Sequence, residues 1–428
     1  MLEKILNFIK KPTSKDILIN TIGNYLNVFF TAFFAFLLVR IMPPSKYGVL
    51  SVLLGIAYVL ANILDFGTTA SIYSYLPLLL EKKREKAFVF LKTVFSYQSI
   101  FSLIVVFFLL LFFPYLDKIF FKTSAPLWEL YLTTFSVIFF IWQNYVINSL
   151  NAAKKFLYSN IILNLSNIIK TLFIFILYKI NFVNVGSIIF TFGILGPSIF
   201  FLILIFEKYN TIKNVLKAKI EKEEFKFGYT ISFFIASQFF NLALRMDLFL
   251  LSFFYPQSPQ IGYYGLAQKI ILTVLASITA ITQVLSPNFS RITSKTQAKK
   301  ELRNGFLYLL IPAFLFIALY FTPEWVFNLF FTKKYLQTAY ITHFLSLPFV
   351  LYTFLNLPFL FILYTAKKTL PILFSNIVFF LIVTFGCLFF IPKFGVFAPA
   401  IVIGFGFFCA FLIALFFTLK EYQKLPNN

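Results

Sequence analysis

Histidine, cysteine and acidic residues are scarce in this chain. Its 428 residues include one histidine, two cysteines and 15 acidic residues, and none of these are grouped with the spacing of metal ligands. Cys387 and Cys409 both lie inside apolar runs, where a thiol acts as a small hydrophobic side chain. We therefore expect neither a metal site nor a bound cofactor.

Two kinds of catalytic feature are also missing. The sequence has no Walker motif for binding nucleotide phosphates, so the chain carries no ATPase engine of its own. A membrane-embedded glycosyltransferase, polymerase or ligase would need a pair of carboxylates or a large outer loop to hold its reaction, and neither is present. The sequence therefore predicts that the protein is not an enzyme.

Apolar residues, by contrast, are in excess. They make up 60% of the sequence, phenylalanine alone occurs 65 times, and charged residues reach only 12%. A soluble domain cannot bury this much apolar surface, so lipid must be the solvent for most of the chain. The formal charge of +22 does not indicate nucleic-acid binding, because the basic residues lie in short clusters between apolar runs.

Twelve apolar segments are predicted to span the membrane. Each has about 20 residues or more, enough to cross a hydrocarbon core of roughly 30 Å. We expect an all-α polytopic membrane protein whose helices form two six-helix halves around a central cavity. The predicted spans are 17–41, 47–69, 88–113, 126–151, 157–179, 184–206, 228–253, 261–287, 304–322, 336–362, 369–391 and 395–419.

The distribution of lysine and arginine predicts the orientation of these spans. If the N-terminus is cytoplasmic, 26 of the 37 Lys and Arg residues lie on the cytoplasmic side and 8 lie on the outer side. Cytoplasmic loops of membrane proteins carry such an excess of positive charge. We therefore expect both termini in the cytoplasm.

The two halves are predicted to be residues 1–206 and 227–428, joined by a cytoplasmic amphipathic linker over 207–226. Short motifs recur in the same order in both halves. Ala153-Lys154-Lys155 after the fourth span, for example, matches Ala366-Lys367-Lys368 after the tenth. With an even number of spans per half, such repeats are related by an axis along the membrane normal.

Polar residues form stripes on three of the predicted spans. In two of them the spacing i, i+4, i+7, i+11 places all four residues on one helical face. Polar side chains in a membrane face protein or water, so they either join helices by hydrogen bonds or line a hydrated cavity, which is the interpretation we favour. The stripes are Asn20, Asn24, Asn27 and Thr31 in span one; Asn160, Asn164, Asn167 and Thr171 in span five; and Gln238, Asn241, Arg245 and Ser252 in span seven.

Three cations lie inside apolar spans. Lys170, Arg245 and Lys269 are each some eight or nine residues from the outer end of their helix, which is roughly 12–14 Å at 1.5 Å per residue. Ionisable residues at membrane depth are candidates for function, and three cations at similar depth suit a negatively charged substrate group. Arg245 is the strongest candidate, because a guanidinium can hold phosphate oxygens by two parallel hydrogen bonds.

Two carboxylates are predicted to be buried. Asp247 points away from the Gln238 face but lies at about the depth of Lys269 on the next span, which predicts either an ion pair holding the two helices together or a part in ion coupling. Asp65 lies near the cytoplasmic end of span two, where it is expected to pair with basic loops or to couple an ion. His343, the only histidine, is predicted to be a packed hydrogen-bonding residue.

Short motifs mark two pairs of predicted spans. The first two spans contain Arg40-Ile41-Met42-Pro43-Pro44, Tyr47-Gly48-Val49-Leu50-Ser51 and Asp65-Phe66-Gly67. The seventh and eighth spans contain Arg245-x-Asp247-x-x-Leu250-Leu251, Gly262-Tyr263-Tyr264-x-x-Ala267 and Ser286-Pro287-x-x-Ser290-Arg291. These motifs resemble the corresponding spans of the polysaccharide flippase family, the O-antigen and capsule flippases of the multidrug/oligosaccharidyl-lipid/polysaccharide flippase superfamily. The resemblance covers nearly the whole chain in spacing, and none of its motifs is catalytic.

The resemblance implies a flippase for surface polysaccharide biosynthesis, such as that of lipopolysaccharide O-antigen. It would move an undecaprenyl-diphosphate-linked oligosaccharide from the cytoplasmic to the outer leaflet by alternating access, with the polyprenyl chain left in the membrane lipid. The three cations would hold the diphosphate. The sugar hydroxyls would be bound by Gln238, Asn241, Asn164, Asn167, Asn24 and Asn27. We expect a multi-pass monomer of the inner (plasma) membrane, close to glycosyltransferases or a polymerase and without a nucleic-acid partner.

Two other functions stay open. A cation-coupled multidrug exporter of the same superfamily would need a net acidic cavity to attract cationic drugs, whereas the cavity predicted here is net basic. A membrane scaffold that transports nothing would follow if Arg245 and Lys269 made only salt bridges.

Overall fold

A computed structural model describes residues 12–202, 211–221, 227–289 and 292–427 of the chain. Within these ranges all regular secondary structure is helical, as the apolar spans predicted. Turns through Phe190–Leu195, Gly196–Ser198 and Ile199–Leu202 extend α7. The helices are α1 (Pro12–Ile41), α2 (Pro44–Ile63), α3 (Thr68–Lys82), α4 (Arg84–Leu116), α5 (Leu127–Ala152), α6 (Phe156–Lys179), α7 (Val185–Ile189), α8 (Thr211–Lys217), α9 (Phe227–Phe254), α10 (Pro259–Phe289), α11 (Lys295–Phe321), α12 (Glu324–Phe331), α13 (Gln337–Leu360), α14 (Leu370–Phe394) and α15 (Ala398–Gln423).

The helices are long and apolar enough for a multi-pass membrane protein. Eight stretches of the described chain could cross a bilayer, and one of these, Leu370–Gln423, contains both α14 and α15. Shorter apolar helices occur at Tyr25–Ile41 and Val185–Phe201. Each of the twelve expected spans overlaps a helix, while their exact number and the side of the termini stay predictions.

Sequence reasoning missed α3. The second span was expected to run through residue 69, but α2 ends at Ile63 and a turn over 64–67 leads into α3. Phe66 and Gly67 in this turn have φ values of 48° and 71°, the left-handed region in which helices commonly end. The Asp65 carboxylate then accepts hydrogen bonds from the Thr68 and Thr69 hydroxyls, over 2.8 and 2.9 Å, at the start of α3.

The chain packs as two compact units. The first contains the described residues of Met1–Phe34, Leu53–Tyr115 and Ala125–Phe234. The second contains the described residues of Ala35–Val52, Leu116–Ser124 and Ile235–Asn428. Residues 207–210 and 222–226 of the expected linker lie outside the described residues, so the two six-helix halves and their linker stay a prediction.

In the first unit, α5 packs against α3, α6 and the turns that follow α7. One buried cluster surrounds Val137 and Ile141 of α5. A second joins α3 to α4 through Leu76 and Phe90, and Val215 of the short helix α8 packs on it. The described part of the linker region therefore rests on the first unit.

In the second unit, α13 packs against α10, α11 and α15. Aromatic rings fill much of this core: Phe379 and Phe407 stack at 4.5 Å with 8° between their planes, and Tyr352 lies 4.9 Å from Phe407. Lipid tails are as apolar as these side chains, so close packing rather than hydrophobic burial holds such helices together.

The two Ala-Lys-Lys motifs form similar turns. Lys154 after α5 and Lys367 after α13 have φ values of 58° and 53°. The amide of the next residue donates back to the preceding helix in both turns, from Lys155 to Leu150 over 2.8 Å and from Lys368 to Ile362 over 3.0 Å. The repeated motif therefore marks the same kind of helix end twice.

The start of α2 lies directly against the start of α10 within the second unit. A β-carbon on Gly48 would lie 2.8 Å from the Gly262 nitrogen, and one on Gly262 would overlap the carbonyl oxygen of Pro44. Glycine is needed at both positions because the two backbones touch. The Tyr335 hydroxyl strengthens the same region by donating to the Met42 carbonyl over 3.1 Å.

Candidate functional site

The predicted site residues of the second unit all lie on the hairpin formed by α9 and α10. The two helices are antiparallel and are joined by a turn in which Gln257 has a φ of 57°. Residues at equal distances from this turn therefore lie side by side. This geometry brings Arg245 and Asp247 of α9 to the level of Tyr264 and Gln268 of α10.

Asp247 is buried and accepts several hydrogen bonds. Its Oδ1 accepts from the Gln268 side-chain amide over 2.9 Å and from the Leu248 backbone amide over 2.7 Å, and its Oδ2 accepts from the Tyr264 hydroxyl. The residue is 2% exposed. A carboxylate in such surroundings is tolerated because donors replace the water that it has lost.

Gln268 links this carboxylate to Arg245. The Arg245 guanidinium donates to the Gln268 amide oxygen over 2.7 Å, while the amide nitrogen of Gln268 donates to Asp247 and, over 3.1 Å, to the Leu244 carbonyl. One buried amide therefore orients both charged groups. We call Arg245, Asp247, Tyr264 and Gln268 the hairpin network.

Lys269 adds a second positive charge beside the hairpin network. It is partly buried and lies within electrostatic range of Arg245. Among the described residues it forms no ion pair. This part of the second unit thus holds two cations and one carboxylate, so its net charge is positive.

The expected ion pair between Asp247 and Lys269 does not form among the described residues. Hydrogen bonds from Tyr264 and Gln268 satisfy Asp247 instead. Successive residues on an α-helix point about 100° apart, so when Gln268 faces α9 its neighbour Lys269 turns aside. Ion coupling at Asp247 stays a prediction.

Tyr264 and Gln268 are the residues that sequence reasoning missed. Their spacing of four places both on the face of α10 that meets Asp247. Polar side chains at i and i+4 in an apolar helix indicate a contact face, so this spacing could have predicted the contact with Asp247. The prediction relied on the charge of Lys269 instead, and Lys269 lies on a different face of α10. Gln238 and Asn241 share a face of α9 with Arg245, as predicted, and both are partly buried.

The asparagine stripes of the first unit meet each other. The Asn167 side-chain amide donates to the Asn27 amide oxygen over 3.0 Å, and that of Asn164 donates to the Gly23 carbonyl over 3.4 Å. Asn160 packs so close to Gly23 that a β-carbon there would overlap it. These contacts join α1 to α6, and a role in sugar binding stays a prediction. The side chain of Asn24 lies outside the described residues.

Lys170 is held between aromatic rings. Its ammonium lies 5.3 Å from the ring centroid of Phe34 and 5.4 Å from that of Phe192. Its stem runs over Gly196, where an added β-carbon would lie 2.7 Å from Cδ. Cation–π attraction therefore stabilises this charge within the first unit.

Two further predicted residues have polar partners in loops or at helix ends. Asp65 accepts from Thr68, Thr69 and, over 3.4 Å, the Gln98 amide, and among the described residues it forms no ion pair. His343 Nε2 lies 2.8 Å from the Thr322 carbonyl, which confirms a packed hydrogen-bonding histidine. Ion coupling at Asp65 stays a prediction.

A family model described as polysaccharide biosynthesis protein matches residues 13–293, well over half of the chain. The chain belongs to this family. The match runs through the asparagine stripes and the whole α9–α10 hairpin. No curated protein matches the chain significantly.

Solved structures of flippases and transporters share the fold. A lipid II flippase, MurJ, in an inward closed conformation is 18% identical over 95% of this chain and 89% of that protein, with a TM-score of 0.72. An inward-facing multidrug resistance MATE family transporter of the MOP superfamily is 13% identical over 94% of both chains, with a TM-score of 0.70. A MOP superfamily transporter from Pyrococcus furiosus is 16% identical over 95% of this chain and 93% of that protein, with a TM-score of 0.60. The polysaccharide biosynthesis protein thus has the fold of a superfamily of transporters and flippases, which are not enzymes.

Proposed function

We propose that this protein is a flippase that moves an undecaprenyl-diphosphate-linked oligosaccharide from the cytoplasmic to the outer leaflet of the inner (plasma) membrane. The observation that carries the proposal is the pair of cations on the α9–α10 hairpin: Arg245, which Gln268 links to the buried Asp247 carboxylate, and Lys269, the next residue after Gln268. Keeping two cations in apolar surroundings favours an anionic ligand, and a diphosphate supplies at least two charges. The family points to a glycan as its cargo.

Arg245 is the residue that we assign to the diphosphate. Its guanidinium donates a hydrogen bond to Gln268, which holds its orientation, and a guanidinium is the side-chain group that best matches phosphate oxygens. Lys269 and Lys170 add positive charge. The sugar hydroxyls are assigned to Gln238 and Asn241, and in the first unit to Asn24, Asn27, Asn164 and Asn167.

Translocation would proceed by alternating access. The backbone contact between Gly48 and Gly262 lies at helix ends that the lysine distribution assigns to the outer side, so release into the outer leaflet requires these ends to separate. The membrane potential assists this direction. Moving two negative charges outward gains roughly 5 kcal/mol at 100 mV, from ~2.3 kcal/mol per charge.

The rest of the arrangement follows from the same proposal. In this proposal both termini lie in the cytoplasm, as the lysine and arginine distribution predicts, and a lipid-linked glycan is assembled on that side. The polyprenyl chain stays in the lipid while its head group crosses. We further propose that the protein works as a monomer near the glycosyltransferases that make its substrate or the polymerase that extends it.

Reconstitution in proteoliposomes tests the proposal. Undecaprenyl-diphosphate-linked oligosaccharide would be placed in one leaflet and its appearance in the other followed with a glycan-specific lectin. We expect transport that needs the protein and that accelerates when a potassium diffusion potential drives the anion across. No transport above protein-free vesicles would overturn the proposal.

The same vesicles separate the alternative functions. Efflux of a cationic dye against a proton or sodium gradient, without glycan translocation, would identify a multidrug exporter. Vesicles that move neither the glycan nor the dye would identify a scaffold.

A further inference from the structure

A pocket of about 210 Å³ lies in the second unit where α10, α13 and α14 meet. It is distinct from the hairpin network. Its polar lining comes from Thr282 of α10, Asn356 of α13 and Tyr364 just beyond α13, and its apolar lining includes Phe359 and Ile372. At about 30 Å³ for each water in the liquid, the volume is that of roughly seven waters, or about one sugar ring.

The polar groups of the pocket are equipped to bind hydroxyls. The Thr282 hydroxyl donates to the Thr279 carbonyl over 3.0 Å, and the Asn356 amide nitrogen donates to the Tyr352 carbonyl over 2.8 Å. Both oxygens keep lone pairs that can accept a hydrogen bond. Among the described residues the Tyr364 hydroxyl has no hydrogen-bond partner, so it can donate one.

The helix that forms the pocket wall is distorted there. A π-helical turn over Phe361–Thr365 follows α13, and the Thr365 hydroxyl anchors it by donating to the Phe289 carbonyl over 2.7 Å. Such turns are rare and occur frequently at functional sites, because they redirect side chains that an α-helix would place elsewhere. Here the turn contains Tyr364.

Among the described residues, none that lines the pocket is charged. A phosphate buried there would lose its hydration without meeting a cation, so the pocket suits a neutral ligand. Hydroxyl and amide groups beside the Phe359 ring match the polar edge and apolar face of a sugar. We propose that this pocket binds one neutral sugar residue of the lipid-linked oligosaccharide, an inference that rests on the proposed function.

The place of the pocket along the helices agrees with this assignment. It adjoins the loop that holds Lys367 and Lys368, which the lysine distribution assigns to the cytoplasm. The substrate enters from that side. The pocket would therefore select the glycan at loading, before the outer helix ends separate.

Binding to purified protein tests the pocket directly. We expect the combined variant Thr282→Val, Asn356→Leu and Tyr364→Phe to lose about tenfold in affinity for the lipid-linked oligosaccharide, as about 1.4 kcal/mol of lost hydrogen bonding would give, while its affinity for undecaprenyl diphosphate without sugar is unchanged. Matched controls are Thr273→Val on α10 and Tyr308→Phe on α11, which lie outside the pocket. An equal loss for both lipids, or no loss for either, would overturn the inference.

A second measurement separates this inference from the proposed flippase. Methyl glucoside, galactoside and mannoside would be titrated onto the protein in micelles, with saturation-transfer NMR reporting contact. We expect at least one glycoside to bind wild type, and the signal to fall when Tyr364→Phe and Thr282→Val are combined. Binding without glycan translocation in vesicles would refute the flippase and keep the pocket. Translocation with unaltered glycoside binding in the variant would refute the pocket alone.

Discussion

The α1–α6 pair of the first unit and the α9–α10 pair of the second both place polar side chains at membrane depth, but they use them differently. Between α1 and α6 the contacts are neutral, from the Asn167 amide to Asn27 and from Asn164 to a backbone carbonyl. Between α9 and α10, Arg245 and Asp247 are joined through Gln268. Neutral amides can satisfy one another, whereas the second pair retains positive charge that a ligand can neutralise.

The largest expected effect comes from removing that charge. Arg245→Ala should lower the initial rate of glycan translocation about 100-fold, because hydrogen bonds to charged groups contribute about 1.5–3 kcal/mol each. The rate would be measured in proteoliposomes at equal protein content. Arg303→Ala, an exposed arginine of α11, is the matched control. An unchanged rate would remove Arg245 from the mechanism and erase the difference between the two helix pairs.

Removing the Asp247 carboxylate, the acceptor of the hairpin network, should mainly lower the free energy of unfolding. Asp247→Leu leaves the Tyr264 hydroxyl and the Gln268 amide buried without their acceptor, and we expect the free energy of unfolding in micelles to fall by about 2 kcal/mol. Adding Tyr264→Phe removes one of the stranded donors and should recover part of the loss. Strictly additive changes in the double variant would mean that the two residues are not coupled.

Disconnecting Arg245 without removing it should have an intermediate effect. Gln268→Leu keeps both charges but deletes the amide that orients them, and we expect about a tenfold lower translocation rate. Gln337→Leu, at an exposed position of α13, serves as the control. If Gln268 only stabilises the fold, the unfolding free energy will fall while the rate per folded molecule remains that of wild type.

The smallest effect is expected in the first unit. Asn167→Leu should lower the unfolding free energy by only about 0.6 kcal/mol, the average for interhelical hydrogen bonds in membranes. It should lower the translocation rate by only about threefold, because one neutral hydrogen bond to the sugar is lost among several. A double-mutant cycle with Asn27→Leu measures the coupling, and Asn144→Leu on the exposed face of α5 is the control. An unchanged rate would remove Asn167 from sugar binding and leave it a purely structural contact.

The pattern of apolar and polar residues along the sequence predicted those features that depend on one helix alone. The all-α class follows from apolar runs of sufficient length, and the shared face of Gln238, Asn241 and Arg245 follows from the helical period. The helix α3 was not predicted, because residues 70–87 fell between two predicted spans. Its first turn is stabilised by Asp65, whose partners cannot be recognised from spacing alone.

Contacts between helices could not be read in the same way. The choice between Gln268 and Lys269 as the partner of α9 depends on a rotation of about 100° around α10, which an apolar sequence leaves undetermined. The partnership of Asn27 with Asn167 likewise requires that α1 and α6 be neighbours. The pocket lined by Thr282, Asn356 and Tyr364 cannot be predicted from the sequence, because these residues are far apart in the chain and Tyr364 lies in a π-helical turn.

By itself the sequence determined that lipid is the solvent for most of this chain, which segments form its long apolar helices, and that cations lie inside them. Those features depend on the free-energy cost of placing backbone groups and charges in hydrocarbon. That cost is set by the length and composition of each segment, without reference to its neighbours. Tertiary structure decided which polar groups satisfy one another. That outcome depends on helix rotation and distance, and it is what makes Arg245 and Lys269, rather than the asparagine stripes, the strongest candidates for an anionic ligand.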